Sequence, residues 1–168
     1  MLRKILLALL VVFILIQFFR PEKNLSNDQK NHIGNLYPIP ADVKGILSVA
    51  CDDCHSNLTK YPWYNNIQPV AWWLASHVND GKRHLNFSTL AARRVALQNH
   101  KLEEIIEMVE EGEMPLSSYT LIHHEAKLTN EQRTKITDWA KATMDILKNT
   151  FPPDSLVMPE RAPGPPAK

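Results

Sequence analysis

Five consecutive residues constrain this chain more than any other feature: Cys51-Asp52-Asp53-Cys54-His55. They include the only two cysteines among 168 residues. Thiols three positions apart lie about one helical turn from each other, and the imidazole that follows shares their small volume. Two cysteines this close cannot make a framework of structural disulfides. A dithiol redox pair has the same C-x-x-C spacing but belongs in a βαβ setting, and no strand pattern is visible. A zinc site needs two more ligands. His77, His84, His123 and His124 are available, but without a second knuckle or a spaced histidine pair. The blandest alternative is two buried cysteines on an apolar face. C-x-x-C-H as a unit has a more specific chemistry. Two thiols add across the vinyl groups on one edge of a haem, and the next residue swings its imidazole under the iron. The motif predicts one covalent haem c, attached through Cys51 and Cys54 and ligated by His55.

The rest of the chain reads as helical. Val43, Ile46, Leu47, Ala50 and Cys54 fall on one face of a helix that starts near Ala41. Pro69 opens a short helix that Asn79-Asp80-Gly81 stops, and Ser88 is a candidate N-cap for the next stretch. That stretch has a possible break near Asn99-His100, then a clean stripe through Leu102, Ile105, Ile106 and Val109 that ends at Gly112. Thr129-Asn130-Glu131-Gln132 has the form of a capping box, and Ile136, Trp139, Ala140, Thr143 and Leu147 share a face after it. The expected fold class is therefore all-α, with a helical domain over residues 38–150. Residues 21–37 are polar and read as a linker. The tail 151–168 holds six of the twelve prolines and is expected to be disordered.

Residues 1–20 read as a membrane anchor or export signal. Ile5 to Phe19 is apolar apart from Gln17, with Arg3 and Lys4 before it. No Ala, Gly or Ser lies between Leu9 and Leu25, which disfavours cleavage. Fifteen helical residues span roughly 22 Å, less than the roughly 30 Å hydrocarbon core, and snorkelling flanks are needed to cover the deficit. The expectation is an uncleaved inner-membrane anchor, Arg3 and Lys4 inside, with the haem domain in the periplasm. The net charge is +1, and no basic run interleaved with aromatics appears, so nucleic acid is not an expected partner.

Beyond the motif, the chain resembles the small bacterial c-type cytochrome-like haem-binding domain family. The resemblance covers about residues 40–148. It rests on Cys51–His55, the stretch His77 to Ser88, the run Gly112-Glu113-Met114-Pro115 and a closing helix with Trp139. It implies a cytochrome c-like helical domain around one haem, with Met114 as sixth iron ligand. Pro115 removes a backbone donor and biases Met114 toward extended conformations, so the thioether is held out of a loop. Met108 and Met144 fall in helices and Met158 in the tail; His77, His84, His123 and His124 are the rival ligands. The loop between Tyr61 and Pro69 is expected to supply the carbonyl that accepts the His55 Nδ1–H. One of Trp63, Trp72 and Trp73 is expected to wall the haem. Lys82 and Arg83 are candidates to pair with propionates. The acidic run Glu103 to Glu113 is a solvated face or a docking surface for a basic partner. Two functions stay open: a membrane-tethered electron-transfer cytochrome with a redox partner protein, and a haem-based sensor with a labile sixth position. A peroxidase ranks last, because no catalytic acid–base constellation is visible.

Overall fold

The computed structural model describes residues 1–159. Among these residues the regular structure is helical, without a strand, as the periodicity predicts. The seven α-helices are α1 (Leu2–Ile16), α2 (Ala41–Ala50), α3 (Asp52–His55), α4 (Val70–His84), α5 (Val95–Glu110), α6 (Ser117–Thr120) and α7 (Asn130–Thr150).

The core forms where α5 and α7 pack against each other and α2 packs on α7. Leu102, Ile105 and Val109 of α5 meet Ile136, Trp139, Ala140 and Leu147 of α7, and Val43 and Leu47 of α2 join them. Leu102, Ile136 and Leu147 are fully buried, each worth about 1.5–3 kcal/mol of burial. The capping box at α7 is present: Thr129 Oγ1 accepts from the Gln132 N–H, and the Gln132 side chain accepts from the Thr129 N–H. Gly112 ends α5 with φ at 78°, in the left-handed region that favours glycine.

Several boundaries differ from the sequence expectations. Asn79-Asp80-Gly81 does not stop α4, which runs on to His84. A Cβ on Gly81 would lie 2.6 Å from the Cys54 carbonyl oxygen, so the glycine serves a close approach of α4 to α3. Nor does α5 break at Asn99-His100: Asn99 Nδ2 donates to Glu103 one turn on. Ser88 caps no helix. Its hydroxyl accepts from the Asn57 N–H and donates to Gln29.

The segment expected to be a linker is part of the fold. Ile33 is fully buried and Tyr37 donates from the core to Gln98 Oε1. Asn24 donates to the Ser56 carbonyl and to Thr59 Oγ1, and accepts from Lys82 Nζ. The first residues of the expected disordered tail are also placed. Pro153–Ser155 forms a 3-10 turn and Leu156 is buried in the core cluster. The remainder of that tail, 160–168, lies outside the described residues.

The inner-membrane anchor is overturned. Helix α1 is 15 residues long, about 22 Å at the α-helical rise. Among the described residues no helix is long and apolar enough to cross a membrane. The periplasmic placement of the domain rested on that anchor and falls with it. What the sequence shows as an apolar run is an exposed helix with no buried residue.

Candidate functional site

Helix α2 ends at Ala50, Cys51 breaks its geometry, and α3 starts at once. This kink turns Cys51, Cys54 and His55 onto the wall of a cavity of about 640 Å³. Much of its remaining lining is apolar, with Leu47 and Ala50 from α2, Phe87, Ile105 and Val109 from α5 and the segment before it, and Ile136 from α7, alongside the charged Asp80, Lys101, Glu104 and Glu107. The volume lies within the roughly 300–1,000 Å³ of small-molecule and cofactor sites.

Two bonds tie His55 to the segment after α4. Its Nδ1–H donates to the Leu85 carbonyl at 3.0 Å. Its own carbonyl accepts the Phe87 N–H at 2.8 Å, and next door the Asn57 N–H donates to Ser88 Oγ at 3.0 Å. The segment after α4 thus clamps the exit of the C-x-x-C-H turn. The expected acceptor between Tyr61 and Pro69 is incorrect. The close α4–α3 packing at Gly81 brings the Leu85 carbonyl to the ring instead. Burial lowers the His55 pKa, outweighing the Leu85 carbonyl, which raises it. A neutral ring that donates from Nδ1 leaves the Nε2 lone pair free for a metal.

The thiols are shifted in the opposite sense to a redox pair. Burial, then Asp52 and Cys54, pushes the Cys51 thiol up to about 12. Burial and Asp53 push Cys54 up to about 11. Reactive dithiols carry depressed values, and among the described residues no group of three or more His, Cys, Asp or Glu could hold a metal ion. The dithiol and zinc readings lose ground on both counts.

Met114 lines the same cavity from the turn after α5, where its N–H donates to the Met108 carbonyl at 3.1 Å. Met108 lines the cavity too. Sequence reasoning set it aside as helical, yet it lies seven, four and three residues after Lys101, Glu104 and Ile105, which share that wall. Helical spacing was the signal for it. Of the rival histidines, His77 and His84 line the cavity, while His123 and His124 do not. His84 is near enough to His55 to contribute to lowering its pKa. His77 Nδ1 bonds the Trp73 carbonyl at 2.9 Å and its ring packs on Trp73.

None of Trp63, Trp72 and Trp73 lines the large cavity. Trp73, Tyr61 and Tyr64 wall a second, small one of about 50 Å³ beside it, Trp72 Nε1 donates to the Phe19 carbonyl, and Trp63 is exposed. Lys82 and Arg83 do not line the large cavity; Lys82 donates to Asn24 and Arg83 pairs with Asp80. The lysine on its wall is Lys101, which sequence reasoning missed and which pairs with Glu104.

The haem-binding domain family model matches residues 11–142. The chain belongs to the haem-binding domain family. Among curated proteins and among solved structures, none matches it. The family's group fits what the residues offer: a large, mostly apolar cavity lined by an imidazole whose Nε2 is free, two protonated thiols, a thioether and one lysine.

Proposed function

We propose that Cys51 and Cys54 would hold one haem c through thioethers, that His55 and Met114 would ligate its iron, and that the protein passes single electrons to a redox partner protein. When bound, haem supplies a one-electron iron couple. The chain's own residues do the rest. Cys51 and Cys54 tether the group, and Leu85 orients the His55 ring through its carbonyl. Leu47, Phe87, Ile105 and Ile136 exclude water, and Lys101 offers a cation to the propionates. Methionine–histidine ligation raises the potential relative to two histidines, which suits a carrier. The observation that supports this reading is that Cys51, Cys54, His55 and Met114 all line one cavity.

The test is to produce the protein with a working cytochrome c maturation system. Haem should stay with the polypeptide through denaturation and acid–acetone extraction. Cys51→Ser or Cys54→Ser should leave a single thioether, and the double variant none. A six-coordinate low-spin spectrum indifferent to carbon monoxide supports electron transfer; ready carbon monoxide binding by the wild type supports a sensor instead. Clean extraction of wild-type haem would sink covalent attachment.

A further inference from the structure

We propose that Tyr119 is a positioning residue that holds Met114 at the haem iron, by latching the chain after Met114 to Asp53 inside the attachment turn. This rests on the reading of Met114 as an axial ligand.

Met114 is tied back to α5 by its N–H bond to the Met108 carbonyl, but no regular element carries it. Residues 111–116 lie between α5 and α6 outside any regular element, and α6 is only four residues long. A single helical turn has no stability of its own. The restraint comes from a side chain. Tyr119 Oη–H donates to Asp53 Oδ2 at 2.9 Å across 66 positions of sequence. Among the described residues this is the one side-chain hydrogen bond between residues 111–128 and the turn 51–55. Its acceptor is itself held: Asp53 Oδ1 accepts the Lys60 N–H at 2.9 Å, and the Asp53 carbonyl accepts from Thr59 Oγ1 at 2.6 Å.

The donor is held as firmly. The Tyr119 ring stacks on His123 with centroids 4.4 Å apart and planes 16° from parallel. His123 Nδ1–H points to Glu125 at 3.3 Å, and its Nε2 accepts from Tyr64 Oη–H at 2.8 Å. Burial, then the charge of Asp53, drives the Tyr119 phenol well above its ordinary value of 10, so it stays a donor at any working pH. Tyr119 and Met114 both line the haem cavity, five residues apart, with Pro115 stiffening the path between them. A hydrogen bond to a carboxylate is one of the stronger kinds, and here it joins the stretch bearing one axial ligand to the stretch bearing the other.

The experiment is imidazole displacement of the sixth ligand in the ferric holoprotein, read by bleaching of the weak near-infrared sulfur-to-iron charge-transfer band. Freeing Met114 raises the fraction of open iron, and the apparent imidazole affinity rises with that fraction. Tyr119→Phe should keep haem attached and shift the imidazole midpoint about tenfold lower. Asp53→Ala should do the same, and the double variant should add little, because both remove the same bond. Tyr37→Phe is the comparison. It loses a buried bond to Gln98 and should lower the melting temperature without moving the imidazole midpoint. A Tyr119→Phe midpoint equal to wild type overturns the latch, and so do additive effects of the two variants. Absence of the band from the wild type removes Met114 ligation and the latch with it, a failure visible before any substitution.

Discussion

Gly45 and Gly81 both sit inside helices and have different surroundings. A Cβ on Gly45 meets nothing within 4 Å, whereas one on Gly81 would press to 2.6 Å from the Cys54 carbonyl oxygen and 3.0 Å from its Cβ. Alanine in a helix interior gains about 0.5–1 kcal/mol over glycine, so Gly45→Ala should stabilise the fold by that amount. Gly81→Ala gains the same propensity, but overpacking against backbone costs about 1–3 kcal/mol, and the cost wins. It should lower the denaturation midpoint and disturb the His55–Leu85 bond. Equal stabilisation by both alanines would show that the α4–α3 approach imposes nothing. Residues of this kind also mark where sequence reading stops. Cys51, Cys54 and His55 were legible because their chemistry is contiguous. Gly81 looked like a helix stop because Asn-Asp-Gly commonly is one, and its true neighbour, Cys54, is 27 positions away. Leu85, as a backbone acceptor, carries no side-chain signal for its role, and Tyr119 needed its partner Asp53 in view.

At the scale of elements, the capping box of α7 and the end of α5 at Gly112 were readable because helix termini are local chemistry. What holds the α5 end was not. Arg133 of α7 donates from Nη1 to the Val109 carbonyl at 2.6 Å, satisfying one of the orphan acceptors of the last turn and bringing a cation to the negative end of the helix. This contact also braces Gly112, whose Cα faces the same guanidinium, and hence the turn that leads to Met114. Arg133→Gln should cost about 1–2 kcal/mol in urea unfolding, with Arg133→Lys intermediate because it keeps a donor but not the planar fork. An Arg133→Gln protein as stable as wild type would mean that the α5 end is held by its own glycine turn alone. The misread elements share one cause. The segments 21–37 and 151–159 are polar or proline-rich, but each delivers isolated apolar residues, Ile33, Tyr37 and Leu156, to a core that α2, α5 and α7 had already begun. Single anchors of that kind leave no periodicity to detect.

The whole molecule divides into a part that packs on itself and a part that packs around the cavity. The α2–α5–α7 core buries Leu47, Leu102, Ile136, Trp139 and Leu147 without help from a ligand. By contrast α3, the turn at Met114 and α6 contribute few fully buried apolar side chains, and Cys51, Cys54, His55, Met114 and Tyr119 are all only half-buried along the cavity. An unfilled cavity deprives its lining of van der Waals partners, so the cost of lacking haem falls on this second part. Local stability follows buried apolar contact, and regions poor in it open first. Protein made without haem attachment, as the Cys51→Ser/Cys54→Ser variant, should therefore keep hydrogen-exchange protection in α5 and α7 and lose it across residues 51–57 and 113–126. Haem-loaded wild type should protect both. Uniform loss of protection in the haem-free protein would mean that the core depends on the cofactor throughout. Equal protection of the two forms would mean that the cavity is rigid without it, and the site would then be preorganised for haem instead of completed by it.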